Sequence, residues 1–297
     1  MLPLPDAVAA DLPDLLARAL AEDVGAGDVT TEATIPAGTT ATARFLLKQD
    51  GVVAGLAVAE RVFQAVDPEL AVVWRAADGD ALSAGTVFGE VRGRARSILV
   101  AERLALNLMQ RMGGIATAAA AMARAARPAT VLDTRKTAPG LRALDKWAVR
   151  LGGGANHRAG LYDMVLVKDN HIAAAGGVRA ALDAVAAAGT PVPVEVEART
   201  LGEVDAVLAA AADGVRVDRV LLDNFARRGA DGALDVAPLA EAVARIGGRL
   251  QTEASGNVTL DSVAAIAATG VDFISSGALT HSVTALDVSL KIGLDGP

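Results

Sequence analysis

The feature that most constrains the fold is a repeat in the second half of the chain. Six short runs rich in valine, leucine and isoleucine alternate with alanine-rich stretches of helical pattern: TVLDT, DMVLVK, VPVEVE, RVLLD, RLQTEAS and VDFISSG. Their apolar residues fall on both parities, which suits strands buried on both faces of a parallel sheet. Each run ends in a polar residue or glycine. Counted from Asp133, those ends fall at Lys168, Glu197, Asp223, Glu253 and Ser275, with gaps of 35, 29, 26, 30 and 22 residues. That is the length of one strand–helix unit. Six units in series build either a doubly wound sheet or a (β/α) barrel. In a barrel the strand C-termini ring one mouth, and chemistry collects there. Functional side chains at nearly every strand end favour a barrel, smaller or more open than the usual eight strands.

The first half reads differently. Residues 6–22 carry apolar positions at helical spacing, with Pro13 as an early break, and a Gly/Asp/Thr turn region follows. ATARFLLKQ, AVVWRA and TVFGEVRG read as strands, with a helical stretch near 55–66. Strands with one helix suggest a small α+β unit. A long helical pattern runs from Ser97 to Arg127, and Gly113–Gly114 within it marks a candidate hinge or domain boundary near residue 112.

Charge sharpens the question. The chain carries a net charge of −7, yet Arg135, Lys136, His157 and Arg158 crowd around one short stretch. A helix is predicted over 139–151, with Pro139 at its first position and Leu141, Leu144, Ala148 and Leu151 on one face. Gly152–Gly154 end it and let the chain turn back, so that both cation pairs reach one cavity. Each close charge pair at an intermediate dielectric contributes about 4 kcal/mol before desolvation, so such a cluster implies an anionic ligand. Lys168 at its strand end is either an electrostatic clamp or an amine for Schiff-base chemistry. Glu195 and Glu197 share one face of their strand and Asp223 ends the next. Acids so placed suit a hard cation, ribose hydroxyls or the nearby lysines. Ser255-Gly256-Asn257 and Ser276-Gly277-Ala278 each stand between a strand and a helix start, where free N–H groups can meet a phosphate. His171 and His281 have no metal-ligand partner at helical spacing and read as structural or as supports behind the site residues. Asp169 and Asn170 are predicted to cap the helix after Lys168.

Composition excludes other classes. No cysteine occurs among the 297 residues, which removes disulfides, thiolate metal sites and a thiol nucleophile. An acidic chain is a poor nucleic-acid binder. No apolar run approaches the roughly 18 residues of a membrane span, and the N-terminus lacks the pattern of a signal peptide. The expectation is a cytoplasmic protein that binds neither nucleic acid nor membrane. Its predicted ligands are a phosphorylated sugar and a small polyanion.

Together, EDVGAGDVTTEATIP, ERLALNLMQRMGGIAT, DTRKTAPGLRALDKWAVRLGGGANHRAGLYDMVLVKDNHI, VEVEARTLGE, LLDNF, EASGNVTL and GVDFISSGALTHS resemble the quinolinate phosphoribosyltransferases, or carboxylating nicotinate-nucleotide pyrophosphorylases, from Leu20 to Leu290. The resemblance implies an N-terminal α/β sandwich over 1–112, rejoined by 279–297, and an open, incomplete α/β barrel over 113–278. It implies synthesis of nicotinate mononucleotide from quinolinate and phosphoribosyl pyrophosphate, with Mg²⁺ and release of pyrophosphate and CO₂. By motif match, Arg103, Arg135, Lys136, His157, Arg158 and Lys168 would bind carboxylates and phosphates, Arg103 coming from the other subunit of a homodimer, alone or within a hexamer. Glu197 and Asp223 would serve the ribose and Mg²⁺, and Lys136, Glu197 and Asp223 would be the catalytic set. Ser255, Gly256, Asn257, Ser276 and Gly277 would hold the 5′-phosphate. Ser276 stands where many relatives would carry an aliphatic residue, and 226–238 resembles a lengthened loop without a readable role.

Overall fold

Alternating burial shapes the N-terminal sheet. The computed structural model describes residues 3–229 and 232–294. Along strand Thr40–Leu47, Ala41, Ala43, Phe45 and Leu47 are fully buried while their neighbours are not, the period-two pattern of a sheet with one face on a core. This strand pairs antiparallel with Val87–Arg94 on one side and with Val288–Leu294 on the other, and Ala71–Trp74 completes the sheet. Helix Leu56–Val66 supplies Phe63, which meets Phe45 edge to face at 5.9 Å. Phe45, Phe63 and Phe88 are almost wholly buried, and each such ring contributes about 1.5–3 kcal/mol by leaving water. The chain divides into two compact units, and this one comprises Met1–Ala120, Ala138–Gly153 and Ser282–Pro297. The returning tail beyond Leu294, like residues 1–2, lies outside the described residues.

Three local expectations are corrected here. Pro13 does not break the first helix, which runs unbroken over Asp6–Val24. Pro13 is exposed, and buried Val8, Leu12 and Leu16 anchor the helix on either side of it. Gly113–Gly114 is not a hinge either, because both lie inside helix Ala95–Ala125. Their role is close packing: a Cβ on Gly113 would stand 2.7 Å from Leu286 Cδ2, and one on Gly114 2.1 Å from the Thr284 carbonyl oxygen. Pro139 precedes its helix instead of opening it, since the helix spans Arg142–Leu151. What starts that helix is the buried Asp145. Its carboxylate accepts the Ala138 N–H at 3.1 Å and a two-pronged pair from Arg111 at 2.8 Å each. This segment packs with the N-terminal unit, whereas the sequence reading runs the barrel domain without interruption over 113–278.

The second unit, Ala121–Thr137 and Gly154–His281, holds the six parallel strands. Their order across the sheet is Thr130–Leu132, Phe273–Ser275, Gln251–Ser255, Arg219–Asp223, Val194–Ala198 and Val165–Val167. The first and second strands in the chain are therefore the two edges, and they do not pair. This is an open barrel, with its seam between strands one and two. Val196, Val220 and Leu222 are fully buried on the face opposite Glu197, Leu221 and Asp223. At the seam, Ala155 bridges Leu132 in parallel fashion. The segment that carries His157 and Arg158 is thereby tied to the first strand.

Gly114→Ala is expected to lower unfolding free energy by about 1–3 kcal/mol, the usual cost of forcing volume into a packed interior. Urea denaturation checks this, and an unchanged midpoint would reject the packing role.

Candidate active site

The ends of the six strands open onto a cavity of about 700 Å³ lined entirely by residues of the second unit. Arg135 and Lys136 enter it from the loop after the first strand. The Lys136 N–H donates to Thr134 Oγ1 at 3.0 Å, and its carbonyl accepts from Thr280 Oγ1 at 2.9 Å. Gly277 leaves room for the side chain, since a Cβ there would lie 2.7 Å from Lys136 Cδ.

Buried Asp133 fixes the second cation pair. Its carboxylate accepts Asn156 Nδ2–H at 2.6 Å and the His157 N–H at 2.9 Å. The Arg158 guanidinium donates to the Met164 carbonyl at 3.2 Å, while Asp163 holds the turn by accepting from Ala159 and Gly160. Burial and then the neighbouring Arg135 charge push the Arg158 pKa down. Among the described residues, Arg135, Lys136 and Arg158 have no carboxylate within 4.0 Å. Three cations at one cavity with no carboxylate in salt-bridge contact form an anion site.

The acids divide into two sets. Asp223 lines the cavity and accepts from Asn224 Nδ2 at 2.7 Å. Glu197 is not in the lining; it is buried, and its Oε2 lies 4.0 Å from Lys168 Nζ. Burial, then the Asp223 charge, raise its pKa. Sequence reasoning grouped Glu195 with the acids of the neighbouring strand ends and took Glu253 only as a strand end. Glu195 and Glu253 are completely buried, and His157 Nε2 stands 2.9 Å from Glu195 Oε2 and 3.5 Å from Glu253 Oε2. The shorter contact is close but poorly aligned for a hydrogen bond. Burial, reinforced by Glu195, pushes Glu253 up to about 7. Burial likewise raises Glu195. The available signal was a pair of glutamates in strands otherwise filled with apolar residues.

The remaining expectations sort as follows. Ser255, Gly256, Asn257 and Gly277 line the cavity. Ser276 does not: its Oγ–H donates to the Val258 carbonyl at 3.1 Å and its N–H to the Leu132 carbonyl at 3.0 Å. Both donors of Ser276 are consumed by the fold, and adjacent Ser275 lines the cavity instead. Gly256 and Asn257 hold left-handed backbone angles, φ 104° and 50°. A Cβ at Gly256 would sit 2.2 Å from Asn224 Oδ1, so glycine is required there on both counts. The helix after the second turn is a single turn, Ala278–His281. His281 lines the cavity. His171 is structural, its Nδ1 accepting the Lys168 N–H at 2.9 Å. That bond also corrects the capping expectation, because Lys168 is the N-cap and Asp169 opens the helix. Arg103 is exposed on helix Ala95–Ala125 and is not among the lining residues. In the 226–238 segment, Arg227–Arg228 pairs antiparallel with Leu234–Asp235, and residues 230–231 lie outside the described residues.

An open α/β barrel whose mouth joins unpaired cations to carboxylates and glycine turns defines an enzyme class that grips polyanions. Comparison with known proteins specifies the family. A model described as Quinolinate phosphoribosyl transferase, N-terminal domain, matches residues 28–113, and one described as its C-terminal domain matches 115–291. The chain is 56% identical over 288 residues to "Quinolinate phosphoribosyltransferase [decarboxylating] 1" of Nicotiana glauca, covering 95% of this chain and 82% of that one. It is 45% identical over 287 residues to "Nicotinate-nucleotide pyrophosphorylase [carboxylating]" of Mycobacterium leprae, covering 94% and 96%. The crystal structure of NadC from Streptococcus pyogenes superposes with a TM-score of 0.89 at 38% identity, covering all of both chains. This chain belongs to the quinolinate phosphoribosyltransferase family.

The raised Glu253 pKa has a consequence for stability. The unfolded carboxyl ionises near 4.5 and the folded one near 7, so between those values the folded state binds more protons. Glu253 therefore favours folding least at alkaline pH, where its burial costs about 3 kcal/mol relative to acid. Glu253→Gln is expected to flatten the fall in unfolding free energy between pH 5 and pH 8. Identical slopes in variant and parent would contradict this.

Proposed function

We infer that this chain transfers the phosphoribosyl group of phosphoribosyl pyrophosphate to quinolinate. Decarboxylation follows, giving nicotinate mononucleotide, pyrophosphate and CO₂ for de novo NAD biosynthesis. The observation that carries the reading is the convergence of Arg135, Lys136 and Arg158 on one cavity with no carboxylate within 4.0 Å among the described residues. Quinolinate brings two carboxylates and the donor brings phosphates. Arginine answers the planar carboxylates with paired N–H groups.

The chemistry asks mainly for positioning and charge. The pyridine nitrogen attacks the anomeric carbon as the bond to pyrophosphate breaks, so no protein base is needed. Positive charge grows on the ribose, and Glu197 and Asp223 are the acids assigned to stabilise it. Lys136 and Lys168 offset the charge on the departing pyrophosphate. The ribosylated ring is cationic, and it stabilises the electron pair left on the ring carbon as the adjacent carboxylate departs as CO₂; that carbon then takes a proton from solvent. Gly256, Asn257 and Gly277 are assigned to the 5′-phosphate.

Magnesium belongs to the same proposal. Glu197 and Asp223 offer hard oxygen donors whose mutual repulsion a cation would relieve, and these two would hold it. Bound Mg²⁺ supplies charge neutralisation for the phosphates. A homodimer, with Arg103 reaching the partner's cavity, accounts for an exposed arginine on helix Ala95–Ala125 outside this chain's own cavity lining. The absence of cysteine and a net charge of −7 are consistent with a cytoplasmic enzyme.

Incubation with quinolinate, phosphoribosyl pyrophosphate and Mg²⁺ is expected to release CO₂ and nicotinate mononucleotide in equal amounts, and EDTA is expected to stop the reaction. Lys136→Ala or Arg158→Ala should lower turnover by about 100-fold or more with unchanged circular dichroism; near-parental rates would remove these residues from the site. Mixing inactive Arg103→Ala with inactive Lys136→Ala should restore activity through hybrid dimers. No recovery after subunit exchange would reject supply of Arg103 in trans.

A further inference from the structure

The groups that the inferred reaction does not use gather around His157, where Glu253 lines the cavity and Glu195 is wholly buried. His157 Nδ1 accepts the N–H of Arg158 at 2.7 Å, so the ring proton sits on Nε2. That edge faces Glu195 and Glu253, and the three ligand atoms lie within 4.8 Å of one another. Arg219 completes the group: it donates to Glu253 Oε2 at 2.9 Å and stacks its guanidinium 3.9 Å from the Phe273 ring centre. Three carboxyl oxygens of the two glutamates are buried without a well-aligned hydrogen bond. Two acids this deep, with one arginine between them and water, are costly as a stabilising device. Their place in the fold points to a different use.

We propose that Glu195 and Glu253, braced by Arg219, are positioning residues for the acceptor: they fix the His157 ring through Nε2, and the ring in turn fixes the Arg158 backbone. The proposal rests on the reaction inferred above. The three parts come from three strands: Glu195 from Val194–Ala198, Arg219 from the start of Arg219–Asp223, and Glu253 from Gln251–Ser255. The sheet therefore sets their spacing. With the glutamates present, turning the ring over would take Nδ1 from the Arg158 N–H and bury its proton without an acceptor. Without them, the ring is free to turn and the Arg158 guanidinium loses its fixed distance from Arg135. The same three atoms resemble a metal-ligand set, but Arg219 already supplies the positive charge on Glu253.

The test uses Glu195, where Leu removes the acceptor facing His157 and Gln retains one. Glu195→Leu is expected to raise the KM for quinolinate about tenfold, leaving the KM for phosphoribosyl pyrophosphate within about twofold and kcat within about threefold. Glu195→Gln, whose amide oxygen can still accept from Nε2–H, should restore a KM near that of the parent. In calorimetric titration of quinolinate, adding Glu195→Leu to His157→Ala should cause no loss beyond that of His157→Ala alone. The proposal is overturned by an unchanged quinolinate KM in Glu195→Leu, by equal rises for both substrates, or by additive losses in the double variant. It is also overturned if stoichiometric metal is found whose chelation reproduces the Leu phenotype. Failure of the inferred reaction is a separate outcome, since the parent protein would then turn over no quinolinate at all.

Discussion

Repulsion between like charges is the constraint around which the second unit is organised. Among the described residues, Arg135, Lys136 and Arg158 face one cavity with no carboxylate within 4.0 Å, and burial, then the Arg135 charge, depress the Arg158 pKa. Left to themselves, flexible cations would spread into solvent. The fold prevents this with neutral or buried struts: Thr134 and Thr280 hold the backbone of Lys136, and Asp133 holds Asn156 and the backbone of His157. The energy held in that arrangement is released when an anion enters, which is how a rigid site turns charge into affinity.

The open seam of the barrel serves the same end. The first and second strands never pair, so the edge of the first strand is available to the segment bearing His157 and Arg158. The Leu132–Ala155 bridge and the Asp133 hydrogen bonds use it. A closed barrel would satisfy those backbone groups with another strand, and the second cation pair would have no anchor. The acids obey a complementary logic. Glu195, Glu197 and Glu253 all point into low dielectric and all have raised pKa values, a cost accepted where side chains must be held at fixed positions.

Much of this was legible in the residues alone. The six strands, their parallel pattern and the polar strand ends follow from apolar periodicity and spacing, because burial on two faces leaves no other pattern. Arg135, Lys136, His157, Arg158, Lys168 and Asp223 were all picked out and all belong to the cavity lining. Local rules failed where tertiary packing overrode them. Pro13 stays within a helix because leucines grip it from both sides, and Gly113–Gly114 serves close packing against Leu286 and Thr284. Ser276 looked like a phosphate ligand, but its hydroxyl is spent on Val258. Nothing in a linear sequence tells which of two adjacent serines turns outward.

The sequence by itself determined which chemical groups are present and at which strand end each stands, because the strand period and the unit length are local properties of the chain. Only the tertiary structure decided which of those groups share a cavity, which are hidden beneath it, and that Glu195, Glu253 and Arg219 meet around His157. Those contacts join residues from 34 to 96 positions apart. The register of a parallel sheet sets such distances, and register is settled by all its strands at once.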